Sequence, residues 1–280
     1  MQVPMRSTAA VCATVLVTFA APQHALSQNR RFEVASVKPC DAGASEGFRG
    51  AGGISSPGML SLNCLTLRNF IVRAYVYYRD GHFSLARPLP PIEGAPGWMD
   101  SDRYTITAKP EGAVSEEIAN GPMLQALLED RFKLAIRRET KQVPVYEMTA
   151  ARGGARLQPF VPGACIPLDW SNPPKAPEHP SDPKPCPCDR TRKDTDIVIE
   201  CKAVTLDMFS ILFLRLDHLV INKTGISGLL NFHFEYPAEE SGQTSPSFAA
   251  LQQQLGLRLV SAKGPGEFLV IDHVERPSAN

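Results

Sequence analysis

The same succession of hydrophobic patterns occurs twice in this chain, on either side of a stretch with ten prolines in 29 residues (159–187). Proline fixes φ and removes a backbone donor, so that stretch cannot keep a helix or a central strand and reads as a linker. Before it, "CLTLRNFIVRAY" (64–75) carries apolar residues at helical spacing, entered through Thr66 as N-cap. After it, "AVTLDMFSILFL" (203–214) does the same, entered through Thr205. Short alternating segments follow, "HFSLARP" (82–88) and "HLVINKT" (218–224), each of strand type. "RYTITAKP" (103–110) and "NFHFEYP" (231–237) then alternate again and close on proline. Helical segments come next, Ser115 to Arg131 and Ser247 to Leu255. Each half is expected to end in a hairpin, at 133–150 and at 257–274, where "KGPGE" has turn chemistry.

This agreement predicts an internal duplication and an α+β fold. Two similar small units, 28–151 and 197–280, each place helices on one face of a mostly antiparallel sheet, joined by a Pro/Cys-rich linker over 152–196. "RFEVASVKP" (31–39) supplies one more strand ahead of the first unit.

The N-terminus points to export. A leader with one basic residue precedes fifteen uncharged, mostly apolar residues (7–21), and Ala25-Leu26-Ser27 has small residues where a signal peptidase reads. A signal peptide over 1–27 is therefore expected, and its apolar run is shorter than the ~20 residues of a spanning helix. The remaining chain has 28 basic and 29 acidic side chains, which argues against a nucleic-acid or anionic-membrane partner, and no later segment is apolar enough for stable membrane insertion. The expected location is periplasmic or extracellular.

Cys12 leaves with the leader, and six cysteines remain: Cys40, Cys64, Cys165, Cys186, Cys188 and Cys201. An even count in an exported chain favours disulfides. A four-thiolate zinc site from Cys165, Cys186, Cys188 and Cys201 is the rival, but only Pro187 separates the middle two, closer than zinc-ligand pairs usually lie. The same spacing places Cys186 and Cys188 poorly for a bond to each other, so each is expected to pair outward. The sequence does not select among the pairings.

No catalytic, cofactor-binding or metal-binding residue is assigned. Gly43 to Gly47 fits G-x-S-x-G around Ser45, yet the following "FRGAGGISSPG" cannot supply the helix that a nucleophile elbow needs. Arg49 to Gly53 could cradle an anion, but lacks the Lys-Ser/Thr of a phosphate loop. Asp100 and Asp102 flank Ser101 just before a strand and read as turn-formers; Trp98 reads as a packing residue. His82 and His218 hold equivalent places in the two halves, a duplicated structural position, while His179, His233 and His273 have no second ligand at metal spacing. Tyr75, Tyr77 and Tyr78 surround a helix and line either a groove or the junction between halves.

Several phrases together, "FEVASVKP", "LTLRNFIVRAY", "GAPGWMDSDRYTITAKP", "MLQALLEDRFKLAIRRETKQVPVYEM" and "LQQQLGLRLVSAKGPGEFLVIDHVERPSAN", resemble an uncharacterised family of exported proteins expanded in Acidobacteria, a domain of unknown function. Some of its relatives are attached to membrane-embedded metallopeptidases of the antibiotic-sensor type, which implies a sensing or partner-binding ectodomain. This chain has no H-E-x-x-H of its own. The closing pattern is also similar to the N-terminal domains of secretins and TonB receptors, which bind protein partners. The resemblance carries over no catalytic residue. A non-enzymatic envelope protein that binds a peptide, a cell-wall fragment or a protein is therefore expected. The alternative is a secreted hydrolase with dispersed residues, Ser45 or the Asp100/Asp102 pair among them.

Overall fold

A computed structural model describes residues 31–40, 58–86, 88–169, 179, 183–214, 216–238 and 246–277. The residues expected to form a signal peptide (1–27), Ser45 and the glycine loop at 49–53 lie outside them. From Arg31 onward the chain forms one compact α+β unit.

Strand β1 (Phe32–Pro39) leads, followed by β2 (Leu60–Thr66) and helix α1 (Leu67–Ile71). Thr66 ends the strand and caps the helix, its hydroxyl accepting from the Asn69 N–H. A π-helical turn, Val72–Tyr77, continues α1. Beyond it come β3 (Ile92–Glu93), the short helix α2 (Trp98–Ser101) and β4 (Arg103–Pro110). Helix α3 (Glu116–Ile118), capped by Ser115, passes through a π turn at Ala119–Met123 into α4 (Leu124–Phe132). Strand β5 (Ala135–Ala150) ends this half. Then come β6 (Gln158–Pro159), β7 (Cys188–Lys193) and β8 (Asp196–Val204). Helix α5 (Leu206–Phe209), capped by Thr205, runs into a π turn at Ser210–Leu214. Strands β9 (Leu219–Asn222) and β10 (Leu230–Pro237), helix α6 (Pro246–Ala250) with its π turn Leu251–Leu255, and β11 (Leu257–His273) complete the order.

The two halves match in detail. Leu67, Phe70, Ile71, Ala74 and Tyr75 are buried in one, and Leu206, Phe209, Ser210, Phe213 and Leu214 in the other, at identical helical spacing. Ahead of each capping threonine a strand bulges at a non-glycine residue with positive φ, Cys64 at 51° and Ala203 at 57°. Such bulges redirect the chain from strand to helix. The second helical segments both end on a left-handed residue, Lys133 and Gly256.

Neither half closes its own hairpin. β5 and β11 are continuous strands that pair antiparallel over their length, from Leu257 opposite Ala150 to Ile271 opposite Ile136. "KGPGE" is no turn; it lies in extended strand at the middle of this ribbon, with Gly264 opposite Val143 and Gly266 opposite Lys141. The glycines serve close packing instead. A Cβ on Gly266 would meet Val143 Cγ2 at 2.5 Å, and one on Gly264 would meet Ile221 Cδ1 at 2.7 Å. The edges cross over as well: β3 from the first half pairs in parallel with β11, and β9 from the second half with β5. The segment 82–86 forms no strand. Pro88, Pro90 and Pro91 beyond it have no N–H for a ladder, so pairing starts only at Ile92.

Alternation along the ribbon puts both hydrophobic clusters on one face. Ile136, Leu269 and Ile271 join the cluster around Phe70, Met99 and Phe132 at one end; Met148, Leu257 and Leu259 join the cluster around Phe209, Phe232 and Phe234 at the other. The first cluster is completed by a sheet of order β1-β4-β2, the second by β6-β10-β8-β7.

Candidate functional site

A groove of about 690 Å³ opens beside the middle of the ribbon. The π turns that follow α1 and α5 both reach it, through Tyr75, Val76 and Ile211. π turns shift the helix register by one residue and occur often at functional sites. His82, the segment 84–86 and the segment 88–91 form one wall, and Asp217, His218 and Leu219 close the opposite end. Leu85, Leu89, Pro144 and Phe268 make the lining largely apolar, and its volume suits a drug-sized molecule or a short peptide.

The polar groups on the floor are tied to one another. Arg138 donates to Glu267 and to the Tyr75 carbonyl. Arg79 Nη1 lies 3.6 Å from the other Glu267 oxygen, and its Nε donates to Asp80 at 2.8 Å. Gln125 Nε2 donates to the carbonyls of Ala74 and Arg79, at 2.7 and 2.8 Å, which keeps the end of the first π turn in place. The Tyr75 hydroxyl donates to Glu129 at 3.2 Å; burial, reinforced by that carboxylate, pushes its pKa well above the ordinary value of 10. Near neutral pH this hydroxyl stays protonated.

The C-terminal end of the groove is less settled. His218 Nδ1 lies 2.8 Å from Asp217 Oδ1 but without hydrogen-bond geometry, and that buried nitrogen has no other partner. The contact with His218 holds the Asp217 carboxyl below the usual carboxylate range. The imidazole stands edge-on to Tyr146 at 5.4 Å between centroids and separates the groove from a smaller cavity of about 130 Å³ lined by Asp207 and Ser210.

The residues singled out from sequence have other surroundings. Cys40 bonds to Cys64, Cys165 to Cys186 and Cys188 to Cys201, so Cys186 and Cys188 pair outward and all six thiols are used. No zinc-binding thiolate set remains among them. Among the described residues no three His, Cys, Asp or Glu side chains are placed to hold a metal ion.

Asp100 accepts from Arg68 Nε and, at 3.0 Å, from its Nη2, while Asp102 accepts from Arg276 Nε at 2.8 Å. These arginine hydrogen bonds hold both carboxyls below their ordinary range. Each aspartate faces its own cation, and neither lines the groove. Trp98 packs on the first cluster with the Arg276 guanidinium 5.1 Å over its ring. His82 and His218 both line the groove but are not equivalent, because His82 does not head a strand. His233 and His273 lie exposed beside glutamates on other surfaces.

Sequence reasoning passed over Arg138, Glu267 and Asp217. Their only signal was charge inside or beside strand patterns, and their meeting depends on pairing across the halves. The sequence profile described as a protein of unknown function (DUF3738) matches residues 83–274. The chain belongs to this family. The match takes in every wall of the groove C-terminal to His82, and it includes β4 but neither of that strand's sheet neighbours, β1 and β2. The structural unit of this DUF3738 protein therefore begins well before the matched stretch. No curated protein and no solved structure matches the chain.

The three disulfides place this DUF3738 protein in an oxidising compartment outside the cytoplasm. Among the described residues no helix is long and apolar enough to cross a membrane.

Proposed function

We propose that this is a non-enzymatic, exported binding or sensor-type protein of the bacterial envelope, released by a signal peptidase after Ser27, which holds a peptide, a cell-wall fragment or a segment of a partner protein in the groove over its central ribbon. The observation that carries this reading is the groove itself: about 690 Å³, largely apolar, with floor charges that neutralise one another. Such a lining holds a ligand by apolar contact and orients it by a few polar groups. The matching burial pattern, bulges and caps of the two halves support their origin from one duplicated unit, and on that reading the groove lies at the junction of the copies.

The test is thermal shift and calorimetry with a panel of peptides and cell-wall fragments on the chain from Gln28, beside the variant Ala86→Trp, which fills one wall. The reading expects at least one panel member to bind the wild type and to lose about tenfold or more in the variant. Turnover of a panel member, abolished by a groove substitution, would instead favour a hydrolase.

A further inference from the structure

We infer that the ligand of the groove presents a primary ammonium group to Asp217 and His218, with an apolar body along the proline-rich wall; this deepens, and rests on, the binding role just proposed. The charges lining the groove set its polarity. Arg79 and Arg138 face three carboxylates, Asp80, Glu267 and Asp217. The two arginines are taken up by Asp80 and Glu267, which among the described residues leaves Asp217 at the far end without a guanidinium. Counting histidines as neutral, the described lining residues keep one negative charge, and it sits beside His218, which borders both the groove and the side cavity.

The second observation is the His218 Nδ1 atom. Its lone pair or N–H is shut off by a carboxylate oxygen 2.8 Å away that does not bond to it properly. An unsatisfied buried polar atom beside a cavity costs stability unless something occupies the cavity. Asp217 is mostly exposed, whereas the imidazole packs edge-on against Tyr146. With Asp217 turned outward, an ammonium carries enough N–H groups to serve both the carboxylate and the neutral imidazole. The apolar part of such a ligand then lies against Leu219, Pro144, Leu85 and Phe268. The amino terminus of an apolar peptide and a simple alkylamine share this chemistry.

The experiment titrates the chain from Gln28 with three probes by calorimetry: trileucine amide with a free amino terminus, the same peptide N-acetylated, and hexylamine. The free peptide is expected to bind, acetylation to weaken it about fivefold or more, and Asp217→Asn to erase that difference. Because Asp217 is exposed, this variant leaves the fold intact, which its unchanged melting temperature checks. Competition by hexylamine assigns recognition to the amine itself; its failure assigns it to a peptide terminus. Equal binding of the free and acetylated peptides, persistence of the difference in Asp217→Asn, or no binding of any probe overturns the inference. If other panel members still respond to Ala86→Trp, only the ammonium inference fails; if nothing responds to that variant, the groove reading fails with it.

Discussion

The Cα of Gly121 packs against the Tyr78 carbonyl so closely that a Cβ at position 121 would stand 1.9 Å from the oxygen. The contact joins the π turn of the second helical segment to the end of the first, just below the groove. Backbone cannot yield as a side-chain tip can, so Gly121→Ala is expected to cost about 3 kcal/mol or more, the upper range for overpacking. Gly264→Ala meets side chains and no backbone, Ile221 Cδ1 at 2.7 Å and Val145 Cγ2 at 3.0 Å, and is expected to cost about 1–2 kcal/mol. Urea denaturation of both variants measures the order, and an equal cost would contradict it.

Asp100 and Asp102 are read as surface ion-pair partners of Arg68 and Arg276. Asp100→Asn is expected to lose no more than about 1 kcal/mol, since both side chains of its pair are a third or more exposed. Neither Asp100→Asn nor Asp102→Asn should alter binding in the groove. A loss of ligand affinity in either variant would move the site toward α2.

Stability should fall in acid. Arginine hydrogen bonds depress the folded-state values of Asp100, Asp102 and Glu139 below the ordinary 3.8 and 4.5. A depressed carboxyl stabilises the folded state fully above its unfolded value, and that contribution disappears as pH drops through the folded one. The melting temperature should therefore be insensitive to these groups above about pH 5 and decline below about pH 4. High salt should shrink the decline, because the pairs are exposed.

Removing the Cys188–Cys201 bond by Cys188→Ala with Cys201→Ala should cost about 3 kcal/mol, from the freedom regained by a loop of 13-residue separation. The Cys40–Cys64 bond, with a separation of 24, should cost slightly more. Equilibrium denaturation of the two double variants gives the comparison.

A protease site inserted after Asn172 lies between Cys165 and Cys186 in sequence, so cleavage leaves two pieces joined by that disulfide. After reduction the pieces should still migrate together in size-exclusion chromatography, because β3 and β9 each pair with a long strand of the other half. Separation on reduction alone would show that the ribbon does not hold them.

The local elements were legible in the sequence. Thr66, Thr205 and Ser115 cap helices where the patterns began, and the alternation of "RYTITAKP" coincides with β4. Such signals act within a few residues. The ribbon was not legible, since Gly264-Pro265-Gly266 has the local chemistry of a turn, and what overrides it is the packing of Val143, Val145 and Ile221 from distant segments. The π turns left no mark in the apolar spacing. The groove stayed hidden for the same reason as the ribbon: Arg138 and Glu267 are separated by 129 positions and meet only when β5 and β11 pair.

The crossed pairing also sets an order of events. A chain made N-terminus first presents β5 long before β11, and the sheet that backs the first hydrophobic cluster lacks Leu269 and Ile271 until then. The first half therefore waits, with a 16-residue strand unpaired along one edge, for the last strand of the second half to arrive. Closure of this fold therefore comes late, and a chain stopped before Leu257 should be the species most exposed to aggregation.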